Sequence, residues 1–69
     1  MKISARNVLS GVIRRIEKGA VNAEVVIELA PKVLITSVIT LDAATGLNLK
    51  VGDHAYAVIK ASSVMVGVD

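Results

Sequence analysis

Between Val21 and Leu29 the chain alternates: Val21, Ala23, Val25, Ile27 and Leu29 fall on one side of an extended backbone, and Asn22, Glu24 and Glu28 fall on the other, with Val26 as the exception. A period of two marks an antiparallel strand with one wet face, so this stretch commits the chain to a sheet. On its amino-terminal side, Val8 to Ile16 is apolar on both alternating faces, with Gly11 where a barrel strand bends or bulges. On its carboxy-terminal side, Val33 to Thr40 is also two-faced, and six of its eight residues are β-branched. The punctuation between the strands fits. Glu17-Lys18-Gly19 is a turn signal in which Gly19 tolerates a positive φ, and Pro31 interrupts any ladder because it has no N–H.

The rest of the chain completes an order. Thr40 to Leu47 predicts one or two turns of helix, with Thr40 or Asp42 as cap and Gly46 as stop. Leu49 to Asp53 is a tight turn, His54 to Lys60 a fourth strand, Ala61-Ser62-Ser63 a bend of small residues, and Val64 to Val68 a fifth strand. The expectation is an all-β fold: a five-stranded OB-like Greek-key barrel with one short helix between strands three and four. An SH3-like barrel is the competitor, but it usually lacks that helix.

Size then becomes the constraint. A 69-residue chain, read as a single domain over residues 1–69, buries only about 60% of its unfolded surface. It has no cysteine for disulfides or thiolate sites and a single histidine, His54, so self-association is the remaining way to cover two-faced strands. No apolar run reaches the ~20 residues of a membrane span, and Met1-Lys2-Ile3-Ser4 lacks the pattern of a secretory signal, so the expected location is cytoplasmic with no membrane partner.

A formal net charge of +2 and a pI near 9.3 suit anionic ligands. Ser4-Ala5-Arg6-Asn7 and Lys60-Ala61-Ser62-Ser63 each set a fixed cation beside hydroxyl or amide groups, with alanine leaving the backbone open to approach and no carboxylate in either stretch. In an extended arm Ser4 and Arg6 point the same way, and Ser62 repeats that spacing from Lys60. A set made only of donors suits a fully deprotonated tetrahedral dianion such as sulfate, molybdate or tungstate. Phosphate keeps a proton at neutral pH and is commonly met by an acceptor.

Taken singly, both stretches also read as a solvated arm and an ordinary turn; their value depends on the fold bringing them together. Lys18-Gly19-Ala20-Val21 can present N–H groups to an anion, although a plain hairpin turn explains it as well. Arg14 and Arg15 are expected on opposite faces, as a solvated pair. Glu24 and Glu28 stand too far apart along one strand to act as an acid–base pair. No nucleophile, general base or metal triad can be assembled, which argues against an enzyme. One Tyr and no Phe or Trp leave no stacking platform for nucleic acid.

Four stretches, Ile3-Ser4-Ala5-Arg6-Asn7, Lys18 to Val25, Ile35 to Thr40 and Ile59 to Met65, together resemble the molbindins, small cytoplasmic molybdate-binding proteins also known as molybdenum-pterin-binding proteins. The resemblance runs along nearly the whole chain. It implies an OB-like barrel assembled as a homohexamer, a trimer of dimers, with oxyanions held at subunit interfaces. It further implies that Ser4, Arg6, Lys60 and Ser62 bind molybdate or tungstate, joined by backbone N–H groups of Ala5 and Ala61. Ala20, Val21, Asn7 and Ser63 would be weaker contributors. The metal would enter only as its oxyanion, with no cofactor, in a role of storage, buffering or homeostasis. Pro31-Lys32 departs from the glycine-rich turn common in relatives. The alternative is an assembly module with no ligand of its own.

Overall fold

The computed structural model describes residues 1–69, as β1 (Asn7–Lys18), β2 (Asn22–Ala30), β3 (Val33–Thr40), α1 (Leu41–Gly46), β4 (His54–Ile59) and a 3-10 turn at Ala61–Ser63. The strands form one antiparallel sheet in the order β3-β2-β1-β4. Coiling this sheet gathers Ile13, Val25, Ile27 and Ala57 into the core, with Ile16, Leu29, Ile35, Ile39, Leu49 and Ala55 packed around them. Gly11 permits the close approach of β1 to β2. A Cβ there would lie 2.5 Å from the Glu28 carbonyl oxygen and 2.7 Å from Ile27 Cγ2.

The expected fifth strand does not form. Val64 to Asp69 has no ladder partner within the chain, and Val64, Met65, Val66 and Val68 are 51–93% exposed. The result is a four-stranded half-barrel whose edges β3 and β4 stay unjoined. Its surface of 5514 Å² exceeds the roughly 4,100 Å² typical of a compact monomer of 7.2 kDa.

Local chemistry accounts for the joints, with corrections to the expected turns. Thr40 caps α1, its Oγ1 accepting from the Ala43 N–H at 3.0 Å. The helix stops at Gly46 as expected, but the left-handed position that follows falls on Asn48, at φ 52°. Gly19 keeps a negative φ, and its hairpin is closed by the Gly19 N–H donating to the Asn22 carbonyl at 2.8 Å. The positive φ values in the other turns belong to Lys32, at 64° in the β2–β3 hairpin, and to Gly52, at 96°.

A bulge between Ile13 and Arg15 inserts an extra residue in β1 and overturns the expected split of the arginine pair. Both guanidiniums reach acids on one face of β2: Arg14 meets Glu28 at 2.9 Å, and Arg15 meets Glu24 at 2.5 Å as well as Glu17 at 2.6 Å.

Candidate functional site

The β1–β4 ladder ends by pairing Asn7 with Ile59. The chain enters β1 from Ser4-Ala5-Arg6 and leaves β4 through Lys60 into the turn Ala61–Ser63, so the two stretches meet at the same corner of the sheet. There Ile3, Ser4, Ala5, Arg6, Val58, Lys60, Ala61 and Ser62 line an open groove of about 530 Å³. Lys60 is the cap of the turn, and the Ser63 N–H donates back to the Lys60 carbonyl at 2.8 Å, which holds the bend.

The electrostatics of the groove follow from which cations are already neutralised. Arg14 and Arg15 carry all the ion pairs of the chain, whereas Lys2, Arg6, Lys18, Lys32, Lys50 and Lys60 have no carboxylate within 4.0 Å. The side chains of Ser4, Arg6, Lys60 and Ser62 make no hydrogen bond within the chain. Nor does the Ala5 N–H donate to any backbone carbonyl. A groove with two free cations, two free hydroxyls and a free amide can surround a small anion with donors.

Not every residue expected at the site is brought to it. Asn7 begins β1 beside the groove and Ser63 closes the turn behind it, but neither lines it. Ala20 and Val21 lie at the β1–β2 hairpin tip, exposed and with N–H groups that donate to no backbone carbonyl. That tip is at the far end of β1, on the order of 30 Å from Arg6. Within one chain the two regions cannot hold the same ion. Ile3 and Val58, by contrast, line the groove without being anticipated. The signal for Val58 is its position two residues before Lys60, which keeps an extended backbone just past the end of β4, so that both side chains fall on the same side.

The family model of the TOBE domain matches residues 3–66. The chain is similar to the Haemophilus influenzae protein named "Probable molybdenum-pterin-binding protein", with 54% identity over 69 residues and 100% of both chains covered. Among solved structures it is similar to MopII from Clostridium pasteurianum, at 45% identity and a TM-score of 0.91, covering 97% of this chain and 100% of that one. It is also similar to the cytoplasmic molybdate-binding protein ModG in its molybdate-bound form, at 51% identity and a TM-score of 0.93; all of this chain then corresponds to 49% of ModG.

Proposed function

The chain belongs to the TOBE-domain family that includes the molybdenum-pterin-binding proteins, and on that premise we propose that it binds molybdate in the groove between Arg6 and Lys60. The observation that carries this reading is that two separated stretches, each with an unpaired cation and a free hydroxyl, converge on one groove that no carboxylate enters. A fully deprotonated dianion offers acceptors to every one of those donors and requires none in return. Ser4, Arg6, Lys60 and Ser62 are the side-chain ligands in this reading, with the Ala5 and Ala61 N–H groups beside them and Asn7 and Ser63 in supporting positions. Tungstate, with the same charge and shape, is bound in the same way.

The groove is open on its solvent side, and the sheet leaves apolar surface on β3, β4 and the last six residues uncovered. Self-association answers both features. A second copy covers that surface and brings its own Ala20-Val21 tip, which cannot reach Arg6 in its own chain, to the open side of the groove. Binding and assembly are then linked by mass action, because an ion that bridges subunits stabilises the assembled form. The biological role that fits is reversible storage and buffering of the anion in the cytoplasm by a non-enzymatic protein whose binding unit is the single domain 1–69.

Isothermal titration of anion-free protein with molybdate, in the presence of excess chloride, tests the reading. Saturable heat that disappears in Arg6→Ala is the expected result. A folded, self-associated protein that gives no heat at any molybdate concentration would leave an assembly module without a ligand.

A further inference from the structure

Two groove residues offer neither donor nor acceptor and are larger than a methyl group: Ile3 and Val58. Ile3 is 52% exposed and Val58 41% exposed, and neither belongs to the cluster around Ile13, so core packing does not account for them. Val58 is fixed on the ladder opposite Val8, whereas Ile3 lies in the arm before β1. The groove that holds Arg6 and Lys60 is therefore walled by donors on some sides and by hydrocarbon on others.

We propose that Ile3 and Val58 are specificity-determining residues, forming an apolar wall that selects the larger tetrahedral dianions, molybdate and tungstate, over sulfate. The inference rests on the reading of the groove as a molybdate site. Its physical basis is the cost of desolvation. All these dianions have the same charge, but the smaller one is the more strongly hydrated, since Born solvation scales inversely with radius. Where Arg6, Lys60 and the hydroxyls face the ion, lost water is replaced by donors. Where Ile3 and Val58 face it, nothing replaces the water, and sulfate loses more than molybdate does. An open groove lined by donors alone would have no such filter.

The test uses Val58→Thr, which keeps both the β-branch and nearly the same volume while adding a hydroxyl, together with Ile3→Thr and the double variant. Dissociation constants for molybdate and for sulfate are measured by titration at constant ionic strength, with circular dichroism checking the fold. The expected result is that the preference for molybdate over sulfate falls about tenfold in the double variant, with intermediate losses in the single ones. Variants that bind molybdate with an unchanged preference overturn the inference and leave the molybdate reading intact. A wild-type protein that binds both anions equally also overturns it, and one that binds neither overturns the reading beneath it as well. Ile3 lies outside every strand, so its single variant decides the matter even if Val58→Thr disturbs the ladder.

Discussion

Asn7 faces Ile59 across the β1–β4 ladder, and the chain leaves the sheet one residue beyond each, at Arg6 and at Lys60. The ladder thus sets the spacing of two cations that are 54 positions apart in sequence. In the proposed function both hold one ion, so Arg6→Ala and Lys60→Ala should each weaken molybdate binding by roughly ten- to a hundredfold, the scale of one charge-assisted hydrogen bond. Titration of the single and double variants should also reveal non-additivity, because the two residues share a ligand. Arg15→Ala is the control. Its charge is already occupied by Glu17 and Glu24, and its removal should leave the affinity unchanged.

Gly11 should tolerate no side chain. Its backbone lies so close to β2 that a methyl group would overlap the Glu28 carbonyl and Ile27. The carbonyl belongs to the ladder and cannot move aside as a flexible side chain would. Gly11→Ala is expected to destabilise the fold by about 1–3 kcal/mol, typical of overpacking. Thermal unfolding followed by circular dichroism would register this as a midpoint lowered by about 4–8 °C per kcal/mol.

Lys32 is the opposite case, since a smaller residue should improve it. In the two-residue hairpin Pro31-Lys32, Pro31 takes the first turn position, and Lys32 is left at φ 64°, where an L side chain is strained. A bulge between Glu28 and Ala30 adapts β2 to this turn. Lys32→Gly removes the strain and should stabilise the protein by about 1 kcal/mol. The same thermal measurement checks it, with the midpoint moving upward. Because Lys32 does not line the groove, molybdate affinity should not change.

These residues also mark how far the sequence alone could be read. Strand periodicity, the Thr40 cap and the break at Pro31 are local signals, and local geometry followed them. The convergence of Ser4-Ala5-Arg6 with Lys60-Ala61-Ser62 was legible as two matching donor sets, but only the β1–β4 register could bring them to one groove. The bulge at Arg14 could not be read in advance, because it depends on how β1 and β2 coil against each other rather than on either strand's own pattern. The fifth strand failed for a similar reason. Val64 to Val68 has strand-like composition, but strand formation needs an edge to pair with, and composition says nothing about whether one is within reach.

That unpaired segment carries the last prediction. Met65, Val66 and Val68 are 93%, 90% and 92% exposed, an arrangement that a free-standing chain has no reason to keep. If self-association covers them, a charge placed there is buried without a partner on assembly, which costs several kcal/mol. The same charge costs nothing in the separate chain, because nothing in that chain packs over the segment. Met65→Asp/Val66→Asp should therefore shift the equilibrium toward the 7.2 kDa monomer while leaving the four-stranded sheet intact. Light scattering coupled to size-exclusion chromatography reads the mass, and circular dichroism reads the sheet. In the proposed function molybdate binding should weaken along with assembly, because there a second copy closes the open side of the groove. A variant that keeps the wild-type mass would show that assembly, if present, uses another face.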